Sequence, residues 1–269
     1  MADVDTHRPA HPRPAPRKRR RSPGWVPDQH GAWAMLAVPL TLGIVAGGPA
    51  PVHVPLAVLW LIGYLAFYAT GQWLRSHRKA RWFPPVRAYA LACVPPGLAV
   101  LALRPDLLAW VPAFVPLLVV SLVLHDRRAD RSLLNDAVTV VAACLMLPVA
   151  AAAGTAGADA RPDVWAATAL TAAYFLGTVP YVKTLIRERG SRRWYAGSVA
   201  YHVALLPLPW LLSRTTTFPD GPVLTSVFCA MLAVRAVLVP LRGATPRQVG
   251  IGEIVASALL TTVVLVEVL

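Results

Sequence analysis

A helix needs about 20 apolar residues to cross the ~30 Å hydrocarbon core of a bilayer, and this chain repeats such a run nine times. The runs lie at roughly 33–49, 52–74, 86–103, 106–125, 136–157, 163–186, 197–213, 219–240 and 250–269. They are too long for strands and too continuously apolar for helices with one wet face. Composition agrees: 56% of the 269 residues are hydrophobic, 14% are charged, and mean hydropathy is +0.53, against ~45–50% and ~25% in soluble domains. A soluble globule, a disordered chain, a collagen repeat and a disulfide scaffold are excluded. The expectation is an all-α, polytopic transmembrane bundle of about nine spans over 33–269, preceded by an arm at 1–32.

The chain carries 26 Lys+Arg against 13 Asp+Glu, a formal net charge of +13. On a soluble domain that balance points to nucleic acid. Here it is read by side, because Lys and Arg hold loops in the cytoplasm. With the N-terminus inside, 23 of the 26 fall in the arm or in cytoplasmic segments, and only Arg104, Arg161 and Arg214 fall outside. Adding or deleting one span moves every later group to the wrong face, so the alternation supports nine spans, a cytoplasmic N-terminus and an external C-terminus. Membrane lipids are the expected partners and nucleic acid is not. The Pro-rich arm, with its run Arg17, Lys18, Arg19, Arg20, Arg21, cannot bury a core. It reads as a disordered topology signal or as a contact for anionic lipid.

Cys93, Cys144 and Cys229 lie singly inside apolar runs, too far apart for metal or redox spacing, and read as small core residues. Spans three and seven are short and carry Pro95, Pro96, Pro207 and Pro209. They read either as kinked ordinary spans or as the re-entrant or broken helices that line transporter cavities.

Four polar groupings interrupt the apolar pattern. Gln29, His30 and Gly31, between Trp25 and Trp33, sit at the entry of span one. They are either part of an interfacial aromatic belt or a headgroup contact in which His30 transfers protons. After span six, Lys183 and Arg187 are four apart, an unfavourable like-charge spacing on a continuing helix unless an anion lies between them. With Arg189, and with Arg75 in the equally basic segment after span two, they form a candidate phosphate clamp; the alternative is positive-inside anchoring by snorkelling side chains. Set back from the cytoplasmic face, Arg235 stands seven residues before Arg242 and Glu253 six after Arg247. At ~1.5 Å per residue these offsets are about 10 Å and about 9 Å along antiparallel helices, and equal depth predicts an ion pair facing a bundle interior or a wet cavity. Ser198 and His202, four apart on span seven, and Gln72 at the end of span two reach comparable depth. With Gln29 these are the candidate cavity lining, and His202 is a second candidate for proton transfer. Last, Asp126 and Asp130 have the spacing to share a helical face beside a cation, yet Arg127, Arg128 and Arg131 compete for them. That favours local ion pairing, with Asn135 or Asp136 capping span five. No metal site and no cofactor are expected.

Several of these segments carry a likeness. The stretch WVPDQHGAWAMLAVP from Trp25 to Pro39, KTLIRERG from Lys183 to Gly190, SVAYH from Ser198 to His202, and the tail residues Arg242, Pro246, Gly250 and Glu253 resemble the YwiC-like family of bacterial membrane proteins. The resemblance implies a bacterial cytoplasmic membrane and no particular reaction. More remotely, nine spans with prominent cytoplasmic segments after the second and sixth look like the UbiA-type intramembrane prenyltransferases, whose Asp-rich motifs at those places hold magnesium and a prenyl diphosphate. Here the first segment has no acid and the second only Glu188. The expected ligand is therefore an anionic or phosphorylated, lipid-like molecule held directly by basic groups. A small-solute transporter and a non-catalytic accessory protein are the other classes compatible with the sequence, which names no protein partner.

Overall fold

The computed structural model of the chain describes residues 24–27, 31–156, 161–216, 218 and 221–269. Most of the expected arm, including Gln29 and His30, lies outside the described residues. Within them every regular element is helical: α1 (Gly31–Gly47), α2 (His53–Arg75), α3 (Phe83–Leu103), α4 (Val111–Asp126), α5 (Leu133–Cys144), α6 (Met146–Ala153), α7 (Pro162–Ile186), α8 (Arg192–Ala204), α9 (Leu208–Leu212), α10 (Val223–Leu241) and α11 (Pro246–Glu267). Single 3-10 turns lead into α3 and α4, while α5 with α6 and α8 with α9 each make one rod. Among the described residues eight rods are long and apolar enough to cross a membrane, and α1 has 17 residues, the short end of the ~17–25 that suffice. The chain is a multi-pass membrane protein.

The rods coincide with the apolar runs to within about five residues at each end, and α8 and α11 begin earlier than their runs because polar residues open the helix. Thr245 begins α11 with a capping box to Gln248, satisfying amides that hydropathy does not register. Helix α3 passes unbroken through Pro95 and Pro96, so span three is an ordinary helix. Span seven is interrupted between Ala204 and Leu208, at Pro207. Span five is interrupted at Leu145, a break absent from the sequence reading; Pro148 supplies its cause, since a proline leaves the carbonyl four residues earlier, that of Cys144, without its helical donor.

Helix α6 is the centre of the bundle, buried at every one of its residues. Helix α1 lies against it backbone to backbone. A Cβ added to Gly43 would stand 2.2 Å from the Leu147 carbonyl oxygen, one on Gly47 2.3 Å from that of Ala151, and one on Gly154 2.1 Å from that of Gly47. Gly43 and Gly47 are four apart, the small-xxx-small spacing that lets membrane helices approach where no water drives them together. On one side α2 and the 3-10 segment Pro105–Trp110 pack on α6, with Leu56, Val100, Leu107 and Val149 in one apolar cluster that α3 and α4 extend. On the other, α7, α10 and α11 close on α1 and α5 through Leu42, Val140, Val164, Leu232 and Leu260, with α8 packed against α7 and α10.

Polar contacts sort the loops into two ends. At one end Arg75 pairs with Asp130 (2.8 Å), Arg78 with Asp126 (3.2 Å) and Lys183 with Asp136 (2.6 Å). There too Arg128 donates to His77 (2.6 Å) and Arg189 to the Ala244 carbonyl (2.8 Å). At the other end Arg104 donates to the carbonyls of Ala152, Ala153 and Gly154 (2.6–3.2 Å), satisfying the last carbonyls of α6. Arg161 there reaches the Ala46 carbonyl, and the ring of His53 bridges the Ala50 amide and the Ala150 carbonyl. The basic segments after α2, α4, α7 and α10 thus share one end. Two of the three arginines assigned to the opposite face are held there by helix-end carbonyls.

Two local expectations are corrected here. Asp126 and Asp130 pair with Arg78 and Arg75 across a loop, not with the neighbouring Arg127, Arg128 or Arg131. The cap of α5 is Ser132, whose hydroxyl accepts from the Asn135 amide. Asn135 is instead buried between the Ser121 hydroxyl (2.6 Å) and the Asp130 carbonyl (2.8 Å), and Asp136 is drawn to Lys183.

Candidate functional site

The helices α7, α8, α10 and α11 enclose a polar cluster inside the membrane-spanning region. Arg235 of α10 and Glu253 of α11 form an ion pair at 2.7 Å, with only 13% and 16% of their side chains exposed. The pair is embedded in hydroxyls. Tyr174 donates to the second Glu253 oxygen (3.1 Å) and stands 3.1 Å from the Ser257 hydroxyl. Tyr181 lies one face below the guanidinium, 4.2 Å from ring centroid to Cζ, a cation–π contact that strengthens when desolvated.

Helix α8 is tied to this cluster by its tyrosines. Tyr201 donates to the Ala173 carbonyl (2.9 Å) and Tyr195 to the Val237 carbonyl (3.2 Å). His202 is fully buried, donating through Nδ1 to the Ser198 carbonyl (2.8 Å), with its ring edge-on to Tyr181 and Tyr201. It fits because Gly177 has no side chain; a Cβ there would stand 3.1 Å from Nε2. The cluster is not fully satisfied. Nε and Nη2 of Arg235, Oγ of Ser198 and Oγ1 of Thr171 are buried without a hydrogen-bond partner.

Arg235, Glu253, Ser198 and His202 therefore belong to one helix quartet, while Gln72 does not. It is carried by α2, which packs against α3, α4 and α1. The tyrosines and Ser257 were missed by sequence reasoning, although periodicity marks them. Thr171, Tyr174, Thr178 and Tyr181 recur at intervals of three and four on α7, and Glu253 and Ser257 are four apart on α11, so each set shares a face.

The basic end is built differently from the expected clamp. Helix α7 runs to Ile186 with Arg187 as its C-cap, its amide donating to the Lys183 carbonyl (3.0 Å), so the helix turns once from Lys183 to Arg187 and goes no further. Lys183 is drawn to Asp136, to the Arg131 carbonyl (3.2 Å) and over the Trp194 ring (5.5 Å), whereas Arg187 is exposed. Arg75 is held by Asp130, and Arg189 by the Ala244 carbonyl. The loop at 127–132 and the first turn of α5 thus meet Arg75 and Lys183 through Asp130 and Asp136, with carboxylates where a phosphate was expected. The magnesium site implied by the prenyltransferase resemblance does not fit. Among the described residues no three His, Cys, Asp or Glu side chains come together as a metal site, and the acids of that loop face basic groups. Away from the quartet, an apolar groove of about 370 Å³ opens between α2, α3 and α4, lined by residues such as Leu59, Leu101, Val111, Phe114 and Leu118. Its walls are almost wholly apolar, and it suits hydrocarbon.

Comparison with known proteins gives the chain its relatives. A family model described as "YwiC-like protein" matches residues 26–151, which covers the bundle from α1 into α6. The "Uncharacterized protein YwiC" of Bacillus subtilis (strain 168) is 34% identical over 182 residues, 67% of this chain and 74% of that protein. An "Uncharacterized protein" of Haemophilus influenzae (strain ATCC 51907 / DSM 11121 / KW20 / Rd) is 28% identical over 252 residues, 91% of this chain and 98% of that one. No solved structure matches.

Proposed function

The chain belongs to the YwiC-like family, and on that premise we propose that it binds an anionic, lipid-like molecule in its C-terminal helix quartet, reached from the basic end of the bundle. The observation that carries this reading is the Arg235–Glu253 pair inside the spanning region. Charged groups at such depth are costly and are retained where they meet a substrate, an ion or a proton path. In the accompanying topology the N-terminus, the arm at 1–32 and the basic segments face the cytoplasm, the C-terminus faces outward, and the membrane is the bacterial cytoplasmic one. Exposed Arg187 and its neighbours Arg192 and Arg193 supply positive potential at the rim. Arg75, Lys183 and Arg189 shape that rim, and His30 and His202 are the groups available for proton transfer.

The test is thermal unfolding of the purified protein in uncharged detergent with isoprenyl diphosphates and phosphatidylglycerol, each with magnesium or with EDTA, against phosphatidylcholine. A ligand at a hundred times its Kd adds about 2.7 kcal/mol to folded-state stability. The expected result is a rise of several degrees with an anionic amphiphile that EDTA leaves intact and phosphatidylcholine does not give. Equal curves with every amphiphile overturn the reading. A transporter is the second reading, favoured by the interruption of span seven between Ala204 and Leu208, since discontinuous helices build substrate sites in transporters. Solute flux in proteoliposomes would select it.

A further inference from the structure

Arginine presents five N–H donors in a planar fork. In Arg235 one terminal nitrogen, Nη1, is spent on Glu253. The two nitrogens left without a partner are Nε and Nη2, and these are not an arbitrary remainder. They form the side edge of the guanidinium, where two N–H bonds point in parallel and match the two oxygens of a carboxylate or of a phosphate group. The plane of the fork is held by Tyr181 on its face and by Glu253 at its end. The edge is thus oriented and, among the described residues, meets no protein acceptor; both nitrogens are also closed to solvent, so an anion reaches them only as the helices part. Leaving three charged N–H bonds buried and unpaired is among the more expensive arrangements a protein can keep. The neighbouring helix α8 adds a buried hydroxyl, Ser198, in the same condition.

Resting on the anionic-ligand reading above, we infer that the Nε/Nη2 edge of Arg235 is the seat of an oxyanion bearing two adjacent oxygens, a carboxylate or phosphate group, bound within the α7, α8, α10 and α11 quartet. Glu253 and Tyr181 are positioning residues for that seat. Two sources share this chemistry, the headgroup of an anionic lipid and a small free anion, and the experiment separates them.

Wild type and Arg235→Lys are compared in uncharged detergent for stabilisation by phosphatidic acid, phosphatidylglycerol, inorganic phosphate and acetate. Lysine keeps the charge that pairs with Glu253 but has no parallel fork. The expected result is that the anion stabilising wild type binds the lysine variant at least tenfold more weakly, with the variant's unliganded melting temperature close to that of wild type. Loss for the lipids alone assigns the seat to a headgroup; loss for phosphate or acetate, with neither protein stabilised by lipid, assigns it to a free anion and overturns the lipid reading while the seat stands. Equal stabilisation of both proteins by anionic lipid overturns the seat and leaves the lipid reading intact. No stabilisation of wild type by any of the four overturns both. If the lysine variant does not fold, wild type labelled with 15N-arginine decides: the buried Arg235 Nε–H resonance shifts on addition of the anion, and an unmoved resonance overturns the proposal.

Discussion

At the scale of single residues, what a charged side chain does here is decided by which acceptor reaches it first. Arg75 and Lys183 look like free cations in sequence, yet each ends on an aspartate, Asp130 of the loop before α5 and Asp136 of its first turn; Arg235 keeps part of its hydrogen-bonding capacity unspent. Glu267 shows the reverse case. Near the end of α11, and buried, its two carboxylate oxygens accept from the Leu224 and Thr225 amides at 2.6 and 2.7 Å. These are first-turn donors of α10 that have no intrahelical partner, and a negative charge there also suits the helix dipole. Glu267→Ala is expected to lower stability by about 1–3 kcal/mol, the cost of leaving buried donors unpaired, with Glu267→Gln recovering part of it. Thermal unfolding of the two variants checks this, and equal melting temperatures for alanine variant and wild type would refute the capping role.

At the scale of elements, the decisive contact is that between α1 and α6. Two apolar helices in lipid gain little from hiding hydrocarbon from hydrocarbon, so their association depends on close packing. The glycines at 43 and 47 allow it. Gly43→Ala introduces one methyl group against a carbonyl that cannot move without its helix, and overpacking of this kind costs about 1–3 kcal/mol or more. Gly63→Ala on α2 is the control, since nothing lies within 4 Å of its added Cβ. Size-exclusion profiles and melting temperatures should show Gly43→Ala impaired and Gly63→Ala unchanged. Element boundaries follow the apolar pattern at the ends of a run more closely than inside it: α7 stops at Ile186, where its run stops, while span five breaks ahead of a proline within its run.

At the scale of the whole molecule, loop charge and tertiary contacts give concordant arrangements. Segments 75–81, 126–136 and 183–189 hydrogen-bond among themselves at one end, while 46–53, 104 and 150–156 do so at the other. The proposed orientation predicts that alkaline phosphatase fused after Leu269 is active and that a fluorescent protein fused there is dark; the opposite pair of results would invert the topology. The all-helical, membrane-spanning architecture and the common depth of Arg235 and Glu253 were legible without coordinates. Both follow from quantities that run along one chain, namely hydropathy over a fixed bilayer thickness and rise per residue. The partners of Arg75, Lys183 and Asp136, the tyrosines around the ion pair, and the backbone contact of α1 with α6 were not. Each depends on which helices become neighbours and on their rotation about their own axes, and in lipid that choice rests on close packing and hydrogen bonding between segments far apart in sequence, to which apolar pattern is blind.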